Sequence, residues 1–235
     1  MRSALLVAAV CVLCVSSLVS AQPYVSVWGA ENAATQGTSS WFGNAGMIVT
    51  PTANTPAASG VSATFHHVDY TAGDVNVATL NFGVTNWLEV GGAWIDGPGS
   101  TNTVANVKVH LPVRQWLSND AIPDVAFGAV DVTNEVNRAL YFVLSKSFPL
   151  SSSASGGPRI SLHAGLADND LNAGALDGFF GGLEFSVLHS ALIQAEYDGE
   201  NFNADLRYSV TPRFSLDVGI LDGDLGYGAS FHSGF

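Results

Sequence analysis

The chain has 235 residues, and 12% of them are charged, about half the usual share for a globular protein. Its formal charge is −12. Such an acidic chain offers no cationic surface for phosphates, which excludes nucleic acid as a partner.

The first stretch, Met1 to Ala21, reads as a cleaved secretory signal. Arg2 gives the positive start, Ala4 to Val15 the apolar middle, and Val19-Ser20-Ala21 the cleavage positions before Gln22. Arg2 is the only charge in it, so its removal takes the formal charge from −12 to −13. Cys11 and Cys14 both lie within this stretch, which leaves the mature chain without a disulfide or a thiolate metal site. No metal and no cofactor is expected.

Residues 22–60 form a second region, rich in Gly, Ala, Ser, Thr and Asn and poor in periodicity. Within it, Gly46-Met47-Ile48-Val49-Thr50-Pro51-Thr52-Ala53 stands out. Pro51 and Pro56 forbid regular strand pairing, so the region reads as an extended segment that is either a loop against the sheet or a plug or cap at the periplasmic mouth.

Residues 61–235 read as one β-barrel. Strand-like runs cover Val61–Tyr70, Asp74–Val84, Trp87–Ile95, Thr103–Leu111, Asp124–Asp131 and Arg138–Phe148. The second half adds Arg159–Ala167, Gly178–Val187, Ala191–Asp198, Phe202–Ser209, Arg213–Leu221 and Leu225–Phe235. Apolar and polar residues alternate most cleanly near the end. Phe202, Ala204, Leu206 and Tyr208 share one parity, and Asn203, Asp205, Arg207 and Ser209 the other. With low charge and an exported chain, the apolar parity is expected to face lipid and the polar parity to line a lumen. The fold class is therefore an all-β, antiparallel transmembrane barrel of about twelve strands in the outer membrane. Short turns at Thr85-Asn86, Leu188-His189 and Thr211-Pro212 fall on one side, and acidic loops fall on the other. The long connections Pro112–Pro123 and Pro149–Pro158 land on the short-turn side, so the second of these is where a miscounted strand would hide.

The lumenal parity predicts the candidate residues. Lys108, His110, Lys146, Arg159, His163, Glu184, Glu196, Asp205, Arg207 and Asp217 are expected to line the interior, as salt bridges filling it or as a polar track for small solutes or sugars. No catalytic residue is assigned. An enzyme would have to rest on Ser161 with His163, two apart on one strand face, and no orienting partner or oxyanion donor is evident. The tryptophans fall mostly near strand ends, as in an interfacial girdle.

Leu225, Tyr227, Ala229, Phe231 and Phe235 share one parity and end on an aromatic. This resembles the C-terminal signal read by the barrel-assembly machinery, with Tyr227, Phe231 and Phe235 as its aromatic anchors and Ser233 as a polar departure. Several short motifs also resemble the YjbH-like family of outer-membrane proteins linked to exopolysaccharide production. They are the Gly46–Ala53 segment, Trp87-Leu88-Glu89-Val90-Gly91, Asp124-Val125-Ala126-Phe127-Gly128, Tyr141-Phe142-Val143-Leu144-Ser145-Lys146, Gly181-Gly182-Leu183-Glu184, Ala195-Glu196-Tyr197-Asp198-Gly199 and Arg207-Tyr208. The resemblance implies a short, single-barrel member, a non-enzymatic accessory to exopolysaccharide production or export or to envelope structure. Its implied partners are outer-membrane lipid, the assembly machinery, and polysaccharide or its export proteins. Two rival expectations remain: a passive porin-like channel for small solutes, and a secreted soluble β-sandwich binding protein with the apolar faces turned inward.

Overall fold

The structure, a computed structural model, describes residues 39–150, 158–188 and 190–233. The expected signal Met1–Ala21, the start of the second region and the terminal Phe235 lie outside the described residues.

Twelve antiparallel strands close into one barrel. They are β1 (Val61–Val68), β2 (Val75–Thr85), β3 (Leu88–Gly97), β4 (Ser100–Leu111), β5 (Asp124–Val130), β6 (Ala139–Pro149), β7 (Arg159–Asn169), β8 (Gly178–Leu188), β9 (Ala191–Tyr197), β10 (Phe202–Thr211), β11 (Phe214–Leu221) and β12 (Asp224–Ser233). Each pairs with its neighbour in sequence, and β12 returns to β1 with Val61 opposite Ser233 and Val68 opposite Gly226. Closure leaves no strand edge unpaired, which is what lets a sheet sit in lipid. The connection 150–158 joins β6 to β7, which pair with each other from Ala139–Asn169 to Pro149–Arg159. The two strands are therefore neighbours in the barrel, and the connection between Pro149 and Arg159 falls on the side of the short turns. The other long connection holds a five-residue helix, α1 (Val113–Leu117).

The alternation settles which face is which. On β10, Asn203, Asp205 and Arg207 are buried, while Phe202, Leu206 and Tyr208 are exposed. The same holds across β7 to β12, where Leu162, Leu183, Ile193, Leu216 and Val218 all face outward. An apolar outside around a polar, buried inside inverts the logic of a soluble sheet and is the arrangement of an outer-membrane barrel. The soluble β-sandwich expectation is thereby corrected: there is one closed sheet rather than two packed ones, and its apolar face is the outer one.

Strand β6 is the exception that explains itself. It is apolar on both faces, with Leu140 exposed and Tyr141 and Val143 buried. The inner side chains are apolar because an element inside the barrel covers them. Tyr141 and Val143 belong to a buried cluster that also holds Ala53 of the N-terminal region, Ala126, Val130 and Phe180.

Candidate functional site: the lumen and its plug

The covering element is the described part of the second region. Residues 39–53 fold into a compact hairpin inside the barrel, held by Trp41 N–H donating to the Ile48 carbonyl at 2.8 Å and Met47 N–H to the Thr50 carbonyl at 2.9 Å. Two isolated bridges, Ser39 with Ala45 and Gly46 with Pro51, complete it. Almost every residue from Ser39 to Ala53 is buried. The segment then leaves along the mouth where β1 starts, where Ser59 N–H donates to the Gly83 carbonyl at 2.7 Å. Residues 39–53 thus lie inside the barrel, against its inner wall.

A hairpin with two bridges cannot satisfy its own backbone, and a buried peptide group without a partner is costly. The wall supplies the partners. Glu196 on β9 takes three consecutive backbone N–H groups, from Ile48 at 3.3 Å, Val49 at 2.7 Å and Thr50 at 3.1 Å, and the Thr50 hydroxyl at 2.7 Å. Successive N–H groups converging on an anion form a nest, here filled by a side chain of the same protein. On the opposite wall, Glu89 of β3 accepts the Ala45 N–H at 2.5 Å and pairs with Lys108 of β4 at 2.9 Å. Lys108 in turn donates to the carbonyls of Ala45 at 2.6 Å and Thr52 at 3.3 Å. Ser145 on β6 accepts the Ala53 N–H at 2.8 Å, and the Asn106 amide donates to the Phe42 carbonyl.

Glycines on the inner wall make the room. A Cβ on Gly91 would strike the Gly43 carbonyl oxygen, and one on Gly83 the Ala57 carbonyl oxygen. At Gly182 it would meet the end of the Met47 side chain. The wall is thus shaped to the plug as well as bonded to it.

Away from the plug, polar residues of β6 to β12 and β1 bond to one another in rows set by register. Glu184 stands opposite Gln194, and Gln194 opposite Asp205. The Gln194 amide donates to Glu184 at 2.6 Å. Glu196 stands opposite Asn203, whose amide donates to it at 3.1 Å. Arg207 stands opposite Asp217, and Asp217 lies 3.3 Å from His66. Register thus places the neutral Gln194 between Glu184 and Asp205, and Asn203 beside Glu196.

The predicted lumenal residues fall as follows. Lys108, His163, Glu184, Glu196, Asp205, Arg207 and Asp217 are buried in the interior. Arg159 has inward parity, half-buried at the mouth shared with the chain's C-terminal end, and His110 lies near that mouth 3.8 Å from Asp124. Lys146 is a correction. It stands opposite Leu162, an exposed residue, and so has outward parity. Its ammonium reaches back to the Ile122 carbonyl at 3.5 Å. Because β6 is apolar on both faces, its alternation carried no information about direction. Trp41 is a second correction, since it sits in the lumen stacked on His66 with ring centroids 4.4 Å apart, not in a girdle. Tyr227 and Phe231 do face outward from β12.

Glu89 was missed. It is buried in the lumen, yet Gly91 and Gly92 interrupt the alternation of its strand. The signal available was a lone carboxylate in an otherwise uncharged run. The serine pairing also differs from expectation: His163 Nδ1 lies 2.8 Å from Ser145, and Ser161 lies 2.8 Å from Ser147 instead. Glu184 lies 3.1 Å from the other ring nitrogen of His163. A Ser145–His163–Glu184 chain therefore exists, but its hydroxyl is buried under the plug and already holds the Ala53 N–H.

No family model and no curated protein matches the chain. Similar solved structures include a KdgM porin, at 11% identity over 75% of this chain and 99% of that one, with a TM-score of 0.47. A NanC porin structure in a rhombohedral crystal form gives 11% identity over 74% and 99%, with a TM-score of 0.47. The Acinetobacter baumannii outer membrane protein Omp33 gives 11% over 74% and 97%, with a TM-score of 0.45. At this identity the likeness is one of architecture.

Proposed function

We propose that this protein is an outer-membrane barrel held closed by its own N-terminal hairpin, with a non-enzymatic role in the cell envelope. The observation that supports it most is Glu196, whose carboxyl gathers the three plug amides 48–50 in the middle of the lumen. A charge placed there in an open pore would be hydrated by water. Here it is engaged by peptide, and the lumen it occupies is filled.

The test is conductance in planar bilayers. The full mature chain should be silent, and a chain lacking residues 39–53 should conduct. A steady conductance from the intact chain would overturn the reading in favour of a passive porin-like channel. The resemblance to YjbH-like proteins leads us to place the closed barrel in exopolysaccharide production or export. That part is tested by disrupting the gene and measuring secreted polysaccharide; unchanged secretion would count against it and leave the closed barrel untouched.

A further inference from the structure

The plug does not fill the barrel to its far end. Above the hairpin tip, on the side of the acidic loops, a cavity of about 200 Å³ remains. A single water needs only about 10–15 Å³ of such space, so this is more than a site for a buried solvent molecule. Its floor is made by Trp41, Phe42 and Val49 of the hairpin, and its walls include Tyr70, Val77, Ile95 and Leu221. Asp198, Asp222, Asn201 and Asn203 give the lining its polar side, with no lysine or arginine among the lining residues.

We propose that this vestibule binds a small organic cation of the ammonium type. Three aromatic side chains and the aliphatic Val77, Ile95 and Leu221 of the walls suit an apolar body, and aromatic faces attract positive charge. The carboxylates supply the sign. Asp222, Asp224 and Asp198 all bear on the Tyr70 hydroxyl, whose pKa burial raises first and these three charges raise further. An anion would be repelled, and an ammonium group would gain a coulombic attraction that a neutral polyol, held by hydrogen bonds alone, would not. A bare metal ion would lack ligands: among the described residues, no group of three or more acidic, histidine or cysteine side chains is arranged to hold one. The Asp198 carboxylate also has a structural duty, which fixes where its charge sits, while at Asp222 it is the backbone that is held. Asp198 accepts the N–H groups of Glu200 and Asn201 and the Asn203 amide, and the Asp222 N–H is held by Asn203 at 3.0 Å.

The inference rests on the plug reading, because the hairpin supplies the floor. The full mature chain in detergent micelles would be titrated with tetramethylammonium chloride at constant ionic strength, with sodium chloride and glucose as controls. The readout is the Trp41 indole resonance. A saturable shift with tetramethylammonium, absent with sodium and glucose, is expected. Asp222→Asn with Asp224→Asn should weaken it about fivefold or more while leaving heat-modifiable migration unchanged. Asparagine accepts the positive φ of 51° at position 222, so that change leaves the turn intact. A shift with glucose of equal affinity, or an affinity unchanged in the double variant, would overturn the proposal. A conducting barrel in the same preparation without ligand would instead mark failure of the plug reading itself.

Discussion

Replacing Glu196 isolates the force that seats the plug. In Glu196→Ala the N–H groups of Ile48, Val49 and Thr50 lose their acceptor in the lumen. A hydrogen bond to a charged group contributes about 1.5–3 kcal/mol, and the three share one carboxyl, so their losses do not add fully. We expect about 3–5 kcal/mol, the range found when one side of a buried charged contact is removed. The barrel's own ladder is untouched, so the loss falls on local opening of the hairpin. That raises the opening constant by roughly 150- to 5000-fold, read as faster hydrogen exchange at amides 48–50 with unchanged exchange at strand amides such as Ile193 and Ala195. Glu196→Gln keeps one acceptor and turns an NH₂ toward a donor, so it should fall between alanine and wild type. Amides 48–50 exchanging at wild-type rates in a normally migrating Glu196→Ala barrel would refute the reasoning.

Lys108→Met leaves Glu89 buried beside an apolar side chain and strips a donor from the Ala45 and Thr52 carbonyls, so it should destabilise by about 3–5 kcal/mol in urea titrations of heat-modifiable migration; Glu89→Met added to it should recover part of that loss. Gly91→Ala sets a methyl against the Gly43 backbone and should unseat the plug and produce conductance, whereas Gly182→Ala meets, on the plug side, only the flexible end of Met47 and, on the wall, the Ala195 carbonyl, so it should strain the β8–β9 pairing and stay silent. Leu206→Arg puts a charge on the outer face and should cost about 2–4 kcal/mol in lipid if that face lies near the bilayer midplane, measured as the shift in folding equilibrium in vesicles. Asp131 follows β5 and gathers the Thr133 hydroxyl and the N–H groups of Glu135, Val136 and Asn137. Burial pushes its pKa up, but these four donors outweigh burial and hold it below the usual carboxylate value. Its stabilisation of the 131–137 loop should be complete above the unfolded pKa of about 3.9 and be lost as pH falls through the lower folded value, seen as loop amide exchange accelerating only in strong acid.

Most of the strands were legible because alternation is a local property, and β6, apolar on both faces, because its apolar run is local too. Asn203, Asp205 and Arg207 against Leu206 and Tyr208 need no knowledge of distant sequence. Direction failed only at Lys146, on the strand whose two faces are both apolar. The reason for that double face was illegible locally, because it is a contact with Ala53, far upstream. The plug shows the same limit. Pro51 and Pro56 excluded regular pairing, yet the partner of the Thr50 amide is Glu196, 146 residues away. Register accounts for the rest: the sequence offered Glu184, Glu196 and Asp205 on consecutive strands, and only the pairing shows Gln194 between Glu184 and Asp205, and Asn203 opposite Glu196.

The choice of residues in the plug follows from what a lumen wall can provide. A strand inserted into the barrel would need a neighbouring strand for its peptide groups, and the closed sheet has no free edge to offer. The wall can offer only side chains, which reach a few peptide groups at chosen points. A segment suited to that environment needs few donors and little bulk. Pro51 has no N–H to satisfy, Gly43 lets the chain lie against the Gly92 backbone on the wall, and Gly46 lets the two arms of the hairpin close on each other at Thr50. The donors that remain at the hairpin's inner turn are gathered onto Glu196, and the carbonyls at its two arms onto Lys108. These charges are therefore keyed to polypeptide backbone rather than spread as a track for solutes. That arrangement has a consequence for sequence change. Apolar substitutions in the plug that keep its size should be tolerated, since its backbone carries the binding, whereas Glu196, Glu89 and Lys108 should not be replaceable one at a time. A substitution scan of residues 45–53 read by conductance would show it: isosteric changes such as Ile48→Val and Val49→Ile should stay silent, and a scan in which these opened the pore as readily as Glu196→Ala would contradict it.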